Sequence, residues 1–255
     1  MHFRFLGTGA ADCGTPAVGF DNRAYASLLI NDRVLIDGTM RVLEKIGNPA
    51  RITDILYTHS HADHYDPQLL AALAPVCVHA HRSWAGEIDV PGIVVMPFDV
   101  CSDFAVCDLL VTALPANHST ARAYETPVHF VIRGGGRTVF YATDGAWLRN
   151  EEWHALQNEA LDAAIFDATV GEMYPSDYRI FEHNTVGMVR LIVGTLRNPR
   201  NGPNPTTGSI GPVLKPDAKV YLTHIGRTLH PGHEKIAESC AGEFIVAYDG
   251  LAVAL

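Results

Sequence analysis

Short apolar runs separated by polar or glycine-rich turns recur along the whole chain, and most have the length of a β-strand. They predict strands at 3–6, 25–30, 34–36, 52–57, 76–78, 93–96, 109–114, 128–133, 137–141, 163–166, 220–223, 244–247 and 251–253. Other stretches predict short helices at 41–46, 68–73 and 151–158 and a longer one at 184–196. Two strand-rich halves with interspersed helices indicate an α/β (α+β) fold, a quasi-duplicated four-layer αββα sandwich.

Side chains that can bind a metal ion follow several of these strands. Asp37, His118, Asp144 and His224 each come directly or a few residues after a predicted strand. If those strand ends meet at one edge of the sandwich, residues far apart in sequence share one site. The four residues are drawn from both halves of the chain, so neither half has a complete site alone. We therefore predict a single domain that spans residues 1–255.

The densest group of such side chains is the run from His59 to His64, with the spacing His-x-His-x-Asp-His. It lies between an apolar strand and Pro67, which suits the first turn of a helix, so its side chains can converge in a loop. Histidine and carboxylate groups are ligands of zinc and similar divalent metals. One tetrahedral ion could not take all four groups and still leave a position for substrate, so the run predicts two metal ions. The alternative is a polar surface loop rich in histidine, and the specific spacing argues against it.

The composition is that of an ordinary folded protein, with 47% hydrophobic and 18% charged residues. The formal net charge of −9 disfavours non-specific nucleic-acid binding. It is compatible with a small anionic substrate, since bound metal ions dominate the field in a pocket. The sequence has no apolar run of membrane-spanning length, and residues 1–4 do not have the pattern of a signal peptide. Five scattered cysteines without a Cys-x-x-Cys pair fit a reducing compartment, so we expect a cytoplasmic protein.

The spacing of the run from His59 to His64 resembles the motif of the metallo-β-lactamase-fold hydrolases, and the resemblance extends over nearly the whole chain. It implies two divalent metal ions, for which zinc, manganese and iron are all suitable. The resemblance also assigns the ligands: His59, His61 and His118 for one ion, Asp63, His64 and His224 for the other, and Asp144 as a bridge between them. Asp37 corresponds to a carboxylate that supports a metal-bound histidine.

Four short segments are similar to the PhnP-like phosphodiesterases, a branch related to tRNase Z: residues 6–9, 35–37, 184–186 and 222–225. This resemblance implies hydrolysis of a small phosphodiester, cyclic ones included, by a hydroxide that bridges the two metals. Asp63 and Asp144 would orient the hydroxide, and His183, just before the longest helix, would donate a hydrogen bond or a proton to the leaving oxygen. His230 and His233 rank behind His183 for that role. PhnP-type proteins carry a cysteine cluster where this chain has only Cys13, so we expect no structural zinc.

Three other functions are compatible with the same residues. A lactonase or thioesterase would use the same hydroxide on a carbonyl carbon. A tRNA 3′-processing endoribonuclease is disfavoured by the acidic balance and by the lack of a long basic arm between Asp144 and His183. A metal-binding protein without enzymatic activity is disfavoured by the complete set of ligands.

Proline or glycine occupies many positions of the segment 198–217, which is therefore predicted to form neither a helix nor a strand. A loop of this length is usually functional or disordered. One interpretation is a solvated connection. The other is that Ile210, Val213 and Leu214 pack on a second subunit, and on this basis we predict a homodimer.

Overall fold

The computed structural model describes residues 1–19, 21–174, 176–199 and 211–255. Within these ranges the strands form two seven-stranded mixed sheets. In chain order the strands are β1 (His2–Gly7), β2 (Ser27–Ile30), β3 (Val34–Ile36), β4 (Asp54–Leu56), β5 (Cys77–His81), β6 (Val94–Phe98), β7 (Asp103–Val106), β8 (Leu109–Pro115), β9 (Val128–Gly134), β10 (Arg137–Ala142), β11 (Leu161–Asp167), β12 (Leu214–Thr223), β13 (Ile245–Val246) and β14 (Ala252–Ala254). The first sheet has the order β14-β1-β2-β3-β4-β5-β6 and the second the order β13-β12-β11-β10-β9-β8-β7.

The α-helices among the described residues are α1 (Leu43–Ile46), α2 (Pro67–Leu73), α3 (Arg82–Ala85), α4 (Asn150–Leu156), α5 (Val186–Arg197) and α6 (His233–Ser239). Helix α2 begins at the predicted proline, and the preceding Asp66 carboxylate accepts a hydrogen bond from the Gln68 N–H at 2.9 Å. Helix α5 begins after Thr185, whose hydroxyl accepts from the Met188 N–H at 3.0 Å. In the part of the chain that the structure describes, no helix has both the length and the apolar character needed to cross a membrane.

Successive side chains along a strand point to opposite faces of its sheet, so the apolar side chains of one strand belong to different layers of the core. On β11, Ala163 and Ile165 pack between the two sheets, whereas Ala164 and Phe166 pack against α4, α5 and α6. Leu35 on β3 belongs to a third cluster, which joins the outer face of the first sheet to α1, α2 and α3. Each sheet is therefore covered by helices on one face and by the other sheet on the opposite face. The predicted four-layer αββα sandwich is confirmed.

The predicted strands are all present, and most of their ends differ from the prediction by a few residues. Strand β7 was not predicted, because only Val106 of its four residues is buried and its apolar pattern is correspondingly weak. The predicted helix at 41–46 begins as a 3₁₀ turn at Met40–Val42 before α1. The prediction of no strand across 198–217 was wrong at its end, since β12 begins at Leu214. Its pairing with β11 is irregular in this first part, which accommodates Pro216.

The contacts predicted for a second subunit are also corrected by the structure. Val213 and Leu214 are 0% and 2% exposed and belong to the core between the second sheet and its helices. They therefore cannot pack on another chain. Ile210 lies outside the described residues. The homodimer itself stays a prediction, without these two contacts.

Phe130 belongs to the core between the two sheets, where it is fully buried. Its ring packs edge-on against Phe98, with the ring centroids 5.9 Å apart. Phe130→Ala is expected to lower the free energy of unfolding by about 3–5 kcal/mol, since it removes a large side chain and leaves a cavity. Phe181 is 75% exposed, and Phe181→Ala is expected to change the same quantity by less than about 0.5 kcal/mol. Urea denaturation of both variants measures their free energies of unfolding. Equal effects in the two variants would contradict the burial of Phe130 between the sheets.

Candidate metal centre

The predicted metal ligands all follow strand ends at one edge of the sandwich. The run from His59 to His64 follows β4, His118 follows β8, Asp144 follows β10 and His224 follows β12. Strands β10, β11 and β12 are parallel, and β8 has the same direction because β9 is antiparallel to both β8 and β10. The structure brings all seven predicted ligands together in two groups that share one aspartate: His59, His61, His118 and Asp144, and Asp63, His64, His224 and Asp144.

In the first group, Nδ1 of His61 lies 3.2 Å from Nε2 of His118, and the two rings are nearly perpendicular. His59 Nε2 lies 3.3 Å from Asp144 Oδ2. His118 Nε2 lies 3.9 Å from the same oxygen. Three imidazole nitrogens and one carboxylate oxygen thus surround one position.

In the second group, the Nε2 atoms of His64 and His224 are 3.4 Å apart. Asp63 Oδ2 lies 3.4 Å from the first of these nitrogens and 3.5 Å from the second. Asp144 completes the group, with Oδ2 at 2.8 Å from His64 Nε2 and Oδ1 at 3.1 Å from His224 Nε2. Asp144 contacts histidines of both groups, which is the geometry that its predicted role as a bridge requires.

The geometry of both groups fits divalent metal ions. Two nitrogen ligands of one tetrahedral zinc ion lie about 3.3 Å apart, because each Zn–N bond is about 2.0–2.1 Å long. The two imidazole pairs described above are separated by 3.2 and 3.4 Å. His59 Nε2 and Asp144 Oδ1 are buried and lack a hydrogen bond of good geometry among the described residues, although each has an ionisable group within 3.3 Å. Buried polar atoms without such a partner are rare, and a metal ion at each position would satisfy them.

The electrostatics of the cluster favour cations. Burial and the His64 imidazole hold the pKa of His59 well below its ordinary value, so this side chain is neutral and can bind metal. Burial raises the pKa of Asp144, but the imidazoles of His224 and His64 outweigh it and hold the pKa well below its ordinary value. Burial lowers the pKa of His64, but the carboxylates of Asp144 and Asp63 outweigh it and raise the pKa well above its ordinary value. Carboxylates that favour a proton at this place also favour a divalent cation there.

Two buried side chains fix the orientation of histidines in the second group. Asp37 Oδ2 lies 2.8 Å from His64 Nδ1, and the same carboxylate accepts from the N–H and the hydroxyl of Thr58 at 2.8 Å each. Thr169 Oγ1 lies 2.7 Å from Nδ1 of His224. Both contacts leave Nε2 for a metal ion, as is usual for metal-bound histidine. Asp37 therefore has the geometry that its predicted role requires, whereas Thr169 was not predicted.

The backbone is strained at three of these residues. Asp37, Asp144 and His224 have φ angles of 51°, 61° and 54°, a region that non-glycine residues enter at a cost of about 1–3 kcal/mol. Gly145, just after Asp144, allows the backbone to lie close to the ring of His129. A Cβ atom at this position would be only 2.6 Å from Cε1 of His129. Strain of this kind clusters at functional sites and persists only where the surroundings impose it.

His183 lies beside both groups, with its side chain 15% exposed. Its Nδ1 is 2.7 Å from Asp167 Oδ2 and 3.2 Å from Asp144 Oδ1. Burial lowers the pKa of His183, but these two carboxylates outweigh it and raise the pKa to about 11. His183 and Asp167 also form a metal-competent group with Asp144 and His224. Asp167 was not predicted, although it is the last residue of β11, the strand next to β10, which leads into Asp144.

The two lower-ranked histidines are not part of the site. His230 Nε2 donates a hydrogen bond to the Ala168 carbonyl at 2.8 Å. His233 Nδ1 lies 3.0 Å from Arg23 Nη2. Neither histidine lines the cavity at the metal centre, so the structure does not support either of them as the proton donor.

A cavity of about 260 Å³ opens onto the cluster. Its lining includes Asp63, Asp144, Arg179 and His183. A volume of this order accommodates a small molecule or one end of a larger one. The cluster is therefore accessible to a small substrate.

Residues 32–196 match the family model described as Beta-lactamase superfamily domain. A comparison with curated protein sequences gave no match. Several solved structures are similar over the full chain. Zn²⁺-bound PqqB from Methylobacterium extorquens has 20% identity and a TM-score of 0.69, covering 100% of both chains. Human tRNase Z, short form, has 17% identity and a TM-score of 0.70, covering 100% of this chain and 99% of that one.

YhfI from Bacillus subtilis, a metallo-β-lactamase fold protein, has 16% identity and a TM-score of 0.70, covering 99% of this chain and 98% of that one. At these identities the similarity shows the fold alone. The family match extends over more than half of the chain. The protein therefore belongs to the β-lactamase superfamily domain family and has the metallo-β-lactamase fold.

Proposed function

We propose that the protein is a hydrolase with two divalent metal ions that cleaves small phosphodiesters, as the PhnP-like branch of the family does. The observation that carries the proposal is the pair of His183 and Asp167 beside the metal centre, with Nδ1 and Oδ2 2.7 Å apart. It adds a proton donor to a set of metal ligands. A phosphodiester with an alkyl leaving group uses both the metal ions and the proton donor, because it is anionic and its leaving alkoxide needs a proton.

The ligands divide between two sites: metal site A, formed by His59, His61 and His118, and metal site B, formed by Asp63, His64 and His224, with Asp144 shared. Zinc, manganese and iron all suit this donor set, and the zinc-bound PqqB structure supports zinc. The ions would supply a water nucleophile of lowered pKa and would offset negative charge on the phosphoryl oxygens.

The chain's own residues position substrate and protons. Asp63 lines the cavity, so its carboxylate can orient the attacking water. Asp167 holds His183 through Nδ1, so the proton available to a substrate is the one on Nε2. Transfer of that proton to the leaving oxygen contributes about 10²–10⁴-fold to the rate.

A lactonase or thioesterase is the alternative on the same fold. A thioester releases a thiolate, which leaves without a proton because a thiol has a pKa of about 8.5. The contact between His183 and Asp167 would then have no function in catalysis. This contact therefore disfavours a thioester and favours a substrate that releases an alkoxide, as phosphodiesters and lactones both do, and the substrate panel below separates those two.

A tRNA 3′-processing endoribonuclease is the second candidate, favoured by the similarity in fold to human tRNase Z. RNA is itself a phosphodiester, so the chemistry at the metals would be the same. The net charge of −9 weakens the attraction of a long polyanion. A small phosphodiester fits the charge and the 260 Å³ cavity better.

A substrate panel tests the proposal. Protein freed of metal and reloaded with zinc or manganese is assayed with bis(p-nitrophenyl) phosphate, cyclic nucleotides, a precursor tRNA, a lactone and a thioester. We expect the highest kcat/KM with one of the small phosphodiesters. Faster hydrolysis of the lactone or the thioester would replace the proposed substrate class, and selective cleavage of the tRNA would favour the second candidate.

Single-ligand variants test the division into two sites. His118→Ala should mainly empty metal site A, because His118 contacts His61 at 3.2 Å and has no short contact with Asp63. His224→Ala should mainly empty metal site B, because His224 Nε2 lies 3.4 Å from His64 Nε2 in that site. Metal content after dialysis measures both effects. Loss of both ions in both variants would contradict the independence of the two sites.

A further inference from the structure

The segment of residues 116–127, which joins β8 to β9, links two parts of metal site A. It carries His118 near its beginning. At its end, the N–H of Val128 donates to the carbonyl of Thr58 at 3.0 Å, directly before the run of histidines. The 116–127 segment therefore lies against the loop that carries the other two histidines of the site.

Glu125 makes the closest contacts between this segment and the loop. Its side chain is 0% exposed. Oε1 accepts from the Ser60 N–H at 2.7 Å, and Oε2 accepts from the Ser60 hydroxyl at 2.6 Å and from the Thr120 hydroxyl at 3.1 Å. Ser60 lies between His59 and His61. A carboxylate thus binds both the backbone and the side chain of the residue between two proposed ligands, and such charge-assisted bonds are strong.

The buried carboxylate has a cation beside it. Arg122 Nη1 lies 3.6 Å from Glu125 Oε2 and donates to the Ser60 hydroxyl. Arg122 is held in turn by Glu87, with Nε 2.8 Å from Oε2. Arg122 and Glu87 are 32% and 41% exposed and form the outer part of the network, whereas the contacts of Glu125 form its buried part. A buried polar group whose partners are all in place specifies one arrangement. This network holds Ser60 on two sides.

The contacts of Glu125 lie on one side of the metal centre. Metal site B is supported by different groups, Asp37 at 2.8 Å from His64 and Thr169 at 2.7 Å from His224. The hydrogen bonds of Glu125 reach Ser60 and Thr120 instead. Loss of this carboxylate should therefore affect the two sites unequally.

We propose that Glu125 is a positioning residue of metal site A, which fixes the spacing of His59 and His61 through Ser60 and ties their loop to His118. The inference rests on the two-site assignment of the proposed function and does not depend on the substrate. Supporting residues of this kind typically change metal affinity by about 10–100-fold.

Titration of the metal-free protein with Zn²⁺ in competition with a chelator tests the proposal. Glu125→Ala should weaken metal site A by about 10–100-fold and leave metal site B within about twofold. Glu125→Gln keeps one acceptor oxygen and should show a smaller loss at the same site. Co²⁺ titration assigns the affected site, because the absorption spectrum of the ion depends on its ligands.

Asp162→Ala is the matched control, since Asp162 is a buried carboxylate held by Arg137 at 2.7 Å at the opposite end of β11 from the metal centre, and we expect no change at either site. If Glu125→Ala fails to fold, Glu125→Gln and Ser60→Ala give the same comparison. Unchanged affinity of metal site A, or equal losses at both sites, would overturn the inference. A wild-type protein without metal site A would overturn the two-site assignment as well, whereas absence of phosphodiester hydrolysis alone would overturn only the proposed substrate.

Discussion

Asp144→Ala is expected to lower the occupancy of both metal sites and to reduce phosphodiesterase activity by at least ~10³-fold. Its carboxylate lies 2.8 Å from His64 Nε2 in one group and 3.3 Å from His59 Nε2 in the other. Without it, two divalent cations would face each other with one anion fewer between them. Metal analysis after dialysis and the rate of bis(p-nitrophenyl) phosphate hydrolysis measure the two effects.

Asp162→Ala provides the control for Asp144→Ala. Asp162 is a buried carboxylate at the start of β11, held by Arg137 at 2.7 Å and Lys215 at 2.8 Å, at the opposite end of the strand from the metal centre. This variant should retain both ions. Full occupancy of both sites in Asp144→Ala would show that Asp144 is no bridge, and loss of only one ion would assign it to a single site.

His183→Ala is expected to keep both metal ions and to lose about 10²–10⁴-fold in phosphodiesterase rate, because it removes a group that acts in the transition state. The loss should be larger for a phosphodiester with an alkyl leaving group than for one with p-nitrophenol, since the poorer leaving group depends more on a proton. Comparison of kcat/KM for the two substrates measures this dependence. His154→Ala, at an exposed position of α4, is the matched control.

The same variant separates a proton donor from a metal ligand. His183 also belongs to a metal-competent group with Asp144, Asp167 and His224, and loss of a metal ion from His183→Ala would assign it to that role. Asp167→Asn should lower the rate less than His183→Ala and retain both ions, because it weakens the hold on Nδ1 without removing the imidazole. An unchanged rate in both variants would remove His183 from the mechanism.

The candidate metal centre could be predicted from the sequence because its strongest signal is local. The spacing within the run from His59 to His64 is specific, and the remaining ligands follow apolar strands whose ends meet at one edge. Asp37 was predicted as a supporting carboxylate, but Asp167 and Glu125 have no such signal. Asp167 has the ordinary appearance of a residue that ends a strand, and its function depends on His183, 16 residues away. Glu125 contacts Ser60 across 65 residues, a relation that only the fold creates.

The error at the start of β12 has a similar cause. Val213 and Leu214 stand among prolines and glycines, and two apolar residues in such a segment are equally compatible with a core and with an interface. These two residues are buried because β11 and α5 pack beside them. Leu214 pairs with Leu161 of β11, and the Val213 N–H donates to the carbonyl of Leu196 in α5 at 2.8 Å. The pattern along the chain predicts which residues avoid water, and the fold determines what covers them.

The central claim is that two metal ions at this cluster support phosphodiester hydrolysis, and a titration of metal-free protein tests it most directly. Bound zinc or manganese and the rate of phosphodiester hydrolysis are measured in the same samples as metal is added. We expect activity to appear with metal and to reach its maximum when two ions are bound per chain. A protein that binds both ions and hydrolyses no phosphodiester, or one that is equally active without metal, would contradict the account.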